Sequence, residues 1–388
     1  MKYLVILFSV LSYAQSISKS MKLLPDTGQS VSYTTIFGQD SDYSINVPSF
    51  ANNGNGTIND NITNLMWQQI DGGEMTHANA VIYADNLVLG GHSDWRLPTP
   101  RESVSILNFQ NNNPALNATY FTNTNAQYWW TNTFELNSTS KVWVTNAGGG
   151  VGNKPILETI SAGGSFRYHA RTVRDVVAPT VISSQYTDNG DGTITDHLTQ
   201  LTWEKIPNPN MFTWENAILY SENLVIGAAS DWRLPNIKEL QSLNNEALFN
   251  PSVNQTYFNS IGVKSYWSAT TLANQTLNAW FYNTAFGATS NNFKTTANYV
   301  ISVRGIPTLS TVNIDKKSKL FVYPNPFSSK IKIENSTGNE FFILYNQMGQ
   351  ILFSGSDIKA KDFSELSAGL YILDIIGVTN SKVKLIKN

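Results

Sequence analysis

The chain has 388 residues, 41% apolar and 12% aromatic, with a formal net charge of −2 and no cysteine. At ~100 to 200 residues per domain this length carries two or three cores, which excludes a disordered chain, and the missing cysteine excludes disulfides, iron–sulfur clusters and thiol nucleophiles together. Charged residues make up 14% against ~25% in an average soluble domain, with no surplus of Lys and Arg to hold nucleic acid.

The first element in chain order is an export signal. Met1-Lys2-Tyr3, the apolar run Leu4 to Leu11, and Ser12-Tyr13-Ala14 before Gln15 match the basic start, apolar stretch and small residues of a secretory signal peptide over residues 1–14. No later segment reaches ~18 consecutive apolar residues, so no transmembrane helix is expected in the mature protein.

A tandem duplication follows. At an offset of 137, Thr76 to Thr133 aligns without a gap on Thr213 to Thr270. Ser93-Asp94-Trp95-Arg96-Leu97-Pro98 recurs as Ser230 to Pro235, Asn53-Gly54-Asn55-Gly56 as Asn189-Gly190-Asp191-Gly192, and Val173-Arg174 as Val303-Arg304. The ten tryptophans divide five and five between the copies, so each copy is expected to hold its own core as a globular domain. Thr76 and Thr213 are positioned to start a helix that Gly90 and Gly227 end. A second helix is expected after Thr99-Pro100-Arg101-Glu102, where Thr and Glu form a capping box and Pro fits the first turn; Asn236 and Glu239 keep the arrangement. The remainder, rich in Trp, Tyr, Thr and Val between Asn and Gly turns, predicts antiparallel strands.

The composition changes after Arg304. Residues 307–388 hold ten Lys against seven acidic residues, whereas residues 15–306 hold fifteen basic against twenty-one acidic. The alternating segments Lys330 to Ile333, Phe341 to Tyr345, Ile351 to Phe353 and Leu370 to Ile375 describe a small β-sandwich.

Two family resemblances rest on these residues. Tyr323-Pro324-Asn325-Pro326-Phe327, Leu344 to Gln350, Leu366-Ser367-Ala368-Gly369-Leu370-Tyr371 and Lys382 to Lys387 closely resemble the type A C-terminal sorting domain of the type IX secretion system. That resemblance implies a Bacteroidota-type host, the type IX machinery as partner, removal of the tail, and an extracellular or outer-membrane-surface location. Asp188 to Asp196, Leu201-Thr202-Trp203, Asp231 to Pro235, Tyr266-Trp267-Ser268 and Val303-Arg304 resemble the domain first noted at the C-terminus of a Legionella collagen-like protein, and both copies match. The resemblance implies a C-type-lectin-like α+β fold and adhesion to glycans; the acidic balance of the copies argues against a sulfated ligand. The expected architecture is α+β: two lectin-like domains at 24–176 and 183–306, a linker at 307–318, and an all-β sandwich at 319–388.

No catalytic residue is expected. The histidines His77, His92, His169 and His197 align with Trp214, Ala229, Tyr299 and Asn61, so none is shared between copies, and acid–base chemistry needs a positioned titratable pair. No cofactor is expected beyond a possible calcium at Asp188, Asp191 and Asp196, carboxylates of the kind a hard cation takes. The competing reading is a tight hairpin in which those side chains cap local N–H groups. Asp94-Trp95-Arg96 and its repeat read as a core anchor with an Arg satisfied by a nearby carboxylate. Alternation around Trp130 and Trp267 turns Tyr128, Trp129 or Tyr266 away from those residues and toward solvent, where rings stack on sugars. The functional expectation is a secreted or surface-displayed, non-enzymatic glycan or surface-partner binder. The alternatives are an enzyme with its site in one copy and a purely structural envelope protein.

Overall fold

The computed structural model describes residues 17–122, 125–136, 138–158, 167–305, 321–334, 336, 338–346, 349–376 and 381–388. The expected signal peptide at 1–14 and linker at 307–318 lie outside the described residues. Two compact units are separated between residues 311 and 312, and both copies of the repeat fall in the first.

Each copy is built on the same antiparallel four-stranded sheet. In copy one it is Phe50–Asn52, Thr57–Asp60, Leu65–Gln68 and Val173–Asp175, and in copy two Tyr186–Asp188, Thr193–Asp196, Leu201–Glu204 and Val303–Gly305. The register is shared: Ile58 lies opposite Trp67 and Trp67 opposite Val173, as Ile194 faces Trp203 and Trp203 faces Val303. A second sheet carries Tyr128–Phe134, Lys141–Asn146 and Val151–Pro155 in copy one, with Tyr168–His169 added in parallel. Copy two has Ser265–Thr271, Asn278–Asn283 and Ala288–Phe293. These strands are short, and fully buried Trp67, Trp130, Trp203, Trp214, Trp232 and Trp267 stabilise them. At ~25 cal/mol per Å² and ~200 Å² per ring, each contributes about 5 kcal/mol of gross burial.

The structure is mostly β, with four short α-helices in the described residues, α1 (His77–Asn86), α2 (Pro100–Ser105), α3 (Trp214–Glu222) and α4 (Ile237–Gln241), and one 3-10 turn at Asp40–Asp42. Both capping boxes form: Thr99 and Asn236 accept from the Glu102 and Glu239 amides, and each Glu reaches back to its cap. The same glutamates hold the repeated arginines. Arg96 reaches Glu102 at 2.7 and 2.8 Å, and Arg233 reaches Glu239 at 2.7 and 2.5 Å. Asp94 and Asp231 in turn receive Arg174 and Arg304, each at 2.7 Å. The Asp-Trp-Arg motif therefore ties the start of one helix to the last sheet strand of its own copy.

The first helices differ from expectation at their ends. α1 stops at Asn86 and α3 at Glu222, so Gly90 and Gly227 lie beyond them. Both have φ of +61°, and a Cβ there would meet Thr57 Cγ2 at 2.7 Å or Asp191 Oδ2 at 2.6 Å. These glycines close a tight turn onto the Asn53–Gly56 or Asn189–Gly192 hairpin rather than ending a helix.

The two copies share a core as well as having their own. Trp67, Trp129 and Trp143 of copy one pack in one cluster with Ile237, Leu272 and Trp280 of copy two. Equivalent elements meet at this junction, α2 against α4 and strand 151–155 against strand 288–293. The hydrogen bonds are reciprocal: Arg101 Nη2 donates to Ser242 O at 3.0 Å and Lys238 Nζ to Ser105 O at 2.8 Å. Arg101 and Lys238, like Ser105 and Ser242, are equivalent at the offset of 137. A contact in which residue i meets j and j meets i is isologous, the signature of a two-fold relation.

The second unit is all β. Strands Ile351–Gly355, Phe341–Tyr345, Gly369–Ile376 and Ser381–Lys387 form one sheet in that order, and Phe321–Tyr323 pairs with Lys332–Glu334. Its own core includes Phe327, Ile333, Phe342, Leu344, Leu373 and Leu385. Among the described residues no helix is long and apolar enough to cross a membrane.

Candidate functional site

The aromatic residues proposed as ligand contacts take different positions. Alternation along Tyr128–Phe134 holds, but it separates two cores rather than core and solvent. Trp130 packs with Ala80, Ala84 and Leu97 on the helix side, and Trp129 packs into the core shared by the copies. Trp129 is 5% exposed with its Nε1 donating to Asp71 Oδ2 at 3.0 Å, and Tyr266 is 1% exposed with its hydroxyl donating to Ile261 O. Burial corrects the expectation of solvent-facing rings at both positions. Tyr128 is half-buried, its ring stacked on Tyr168 at 5.1 Å with Lys154 Nζ 4.8 Å from its centroid.

Asp188, Asp191 and Asp196 serve the hairpin and its flanks. Asp188 accepts from Gly190 N and holds an ion pair with Lys205. Asp191 Oδ1 accepts from both the amide and the hydroxyl of Thr193. Asp196, fully buried, caps Leu198 N and accepts from Thr199 Oγ1, and burial raises its pKa. Among the described residues no group of three or more His, Asp or Glu is placed to hold a metal ion.

A titratable pair that sequence comparison passed over lies inside copy one. His169 Nδ1 is 2.8 Å from Asp71 Oδ1, and Asp71 Oδ2 accepts from Trp129 at 3.0 Å and Arg171 at 3.5 Å. His169, Asp71 and Arg171 are all buried. Their arrangement orients an aromatic core rather than an open cleft.

The open site lies at the junction between copies. A groove of about 560 Å³ is lined by Gln185, Tyr186, Asn244, Asn245, Asn254 and Tyr257 of copy two, with Arg101 reaching in from α2. It continues into a smaller one of about 180 Å³ beside Thr99, Pro100 and Thr133, and the two share Ser18, Arg101, Leu198 and Glu246. Strand Ile17–Lys19, paired with Thr180–Ile182, supplies one border. Amide side chains and tyrosine rings of this kind offer donors, acceptors and apolar faces without a strong field.

A chain segment crosses the same junction, lining the smaller groove through Leu24 at its start. Residues 22–46 form an arm that starts on copy one, where Lys22 N donates to Thr63 O, and ends against α3 of copy two, where Tyr43 donates to Glu222 at 2.6 Å. Between them Lys238 Nζ donates to Asp26 O at 2.8 Å, and Gln29 pairs with the Thr271 backbone at 2.9 and 3.0 Å. Asp40 Oδ2 accepts from Thr27 and Thr270 at 2.9 and 2.5 Å. Burial, and next the charge of Asp26, push Asp40 up to about 8; burial pushes Asp26 up to about 6 and Lys238 down to about 8.

The groove escaped sequence reading because Asn245, Asn254 and Tyr257 repeat Asn108, Asn117 and Tyr120 as ordinary shared positions, and the copies diverge only along one part of its rim. Phe109-Gln110-Asn111-Asn112 aligns with Glu246-Ala247-Leu248-Phe249 directly after the matched helices. That local loss of identity was the available signal.

Fold and groove together define a duplicated, mostly β module fused through an isologous junction. Its sequence matches the Lcl C-terminal domain at residues 56–174 and again at 192–304, and the chain belongs to that family. Residues 321–388 match a secretion system C-terminal sorting domain, which points to a secreted or cell-surface protein. No curated protein matches the chain. Among solved structures, PorZ, an essential bacterial surface component of the type-IX secretion system of Porphyromonas gingivalis, aligns with 66% of this chain at 10% identity. The TM-score is 0.17, short of a shared fold, and the alignment spans 30% of the PorZ chain.

Proposed function

We propose that this is a non-enzymatic binding protein, exported by the type IX secretion system and secreted or displayed at the cell surface, which takes a glycan or surface partner in the groove between its copies. The groove of about 560 Å³ lined by amides and tyrosines carries the reading. Ligand sites combine concavity with a few convergent polar groups, and this groove has both. The burial of the Asp71–His169 pair supports a non-enzymatic role, because a general base must reach its substrate. The lectin-like character of the copies is drawn from the sequence resemblance.

Two measurements test the reading. Deleting residues 321–388 is expected to trap the protein in the periplasm, read by fractionation and protease shaving of intact cells; surface display of the truncated chain would overturn the export route. The full chain is expected to bind one class of ligand on a glycan array or on cell surfaces. Silence on both would overturn the binding role.

A further inference from the structure

We propose that the open groove is a docking site for an extended, polar to acidic polypeptide segment of a partner protein. This rests on the reading that the groove is the binding surface, and it names the class of ligand.

An isologous junction creates two equivalent grooves. One runs between Asn108–Gln110 of copy one and Asn236, Lys238, Thr270 and Thr271 of copy two, and the chain's own arm fills it. The other, at the offset of 137, runs between Asn245–Ala247 of copy two and Thr99, Arg101, Thr133 and Phe134 of copy one, and all of these except Phe134 line the open groove. The filled groove holds its segment largely by main-chain contacts. Phe109 N donates to Thr27 O at 2.9 Å, Lys238 Nζ to Asp26 O, and Gln110 Oε1 accepts from the amides of Ser30 and Val31, both at 3.0 Å. Recognition of backbone groups selects an extended peptide whatever its side chains.

The open groove keeps the matching backbone positions without the occupant. Glu246 N, equivalent to Phe109 N, has no backbone acceptor among the described residues. Thr271 is fully buried under the arm, whereas its counterpart Phe134 is 45% exposed; Lys238 is buried, whereas Arg101 is half-buried. Arg101 gives one N–H to Ser242 O and a guanidinium carries five donors, so it can meet a peptide carbonyl or carboxylate as Lys238 meets Asp26. Lys19 and Arg101 outnumber Glu246 among the charged residues on the wall, which favours an acidic segment. Glu246 in place of Phe109 and Thr99 in place of Asn236 separate its preference from that of the arm.

A phage-displayed library of short random peptides selected on the full chain tests this. Selected peptides are expected to be enriched in Asp and Glu and to lose at least about tenfold in affinity on Ala247→Trp, which fills the exposed wall. Glu246→Lys is expected to tighten the acidic ones. If Ala247→Trp lowers the unfolding midpoint, Glu246→Lys alone decides. Peptides that bind both variants as they bind the parent would overturn the proposal. If no peptide is selected but glycan binding falls on Ala247→Trp, the groove binds sugar; the peptide proposal fails and the binding function stands. If neither ligand binds, both fail.

Discussion

Asp40 shows how one residue couples the arm to the junction. Its carboxyl, buried between Thr27 of the arm and Thr270 of copy two, is pushed up to about 8 from 3.8. The folded protein thus keeps a proton that the unfolded chain has released throughout that interval. The contribution of this carboxyl to stability therefore falls as pH rises from about 4 to about 8 and is constant above. Lys238, pushed down to about 8 from 10.5 by the same burial, acts in the opposite sense only above pH 8, where the unfolded chain binds more protons. Asp40→Asn keeps the shape without the titration. It is expected to remove on the order of 5 kcal/mol of that decline, read by urea unfolding at a series of pH values; an unchanged pH profile would contradict the burial of this carboxyl. The residue scale is also where sequence reading misled, since Trp129 and Tyr266 alternate correctly with Trp130 and Trp267 yet face a second core.

At the scale of elements, most of the fold was legible. The capping boxes at Thr99 and Asn236, the paired arginine of the repeated motif and the Asn-Gly hairpins are local, and local signals survive packing. The ends of α1 and α3 were not legible, because Gly90 and Gly227 answer to a contact with a hairpin about 35 residues earlier. That contact is testable. Gly227→Ala forces a side chain into φ of +61° and onto Asp191, and is expected to cost more than ~1 kcal/mol by thermal unfolding. An unchanged midpoint would mean that the turn does not pack on the hairpin.

For the whole molecule, the duplication was plain in the sequence and its consequence was not. Each copy has enough tryptophan for a core, which predicts two domains with a core each. The cluster joining Trp67 and Trp129 to Trp280, and the reciprocal Arg101 and Lys238 bonds, make one body instead. Sequence similarity between the copies reports what each preserves internally; the groove depends on how they meet and on the arm that fills only one side.

Residues of both copies line the groove, so the proposed binding site needs the copies held together as one body. Native-state hydrogen exchange with increasing denaturant tests this most directly, comparing core amides of strands Tyr128–Phe134 and Ser265–Thr271. One shared opening free energy is expected for both strands, as in a single cooperative unit. Exchange of one strand at a clearly lower free energy, with the other still protected, would show two independent domains and remove the basis for the groove.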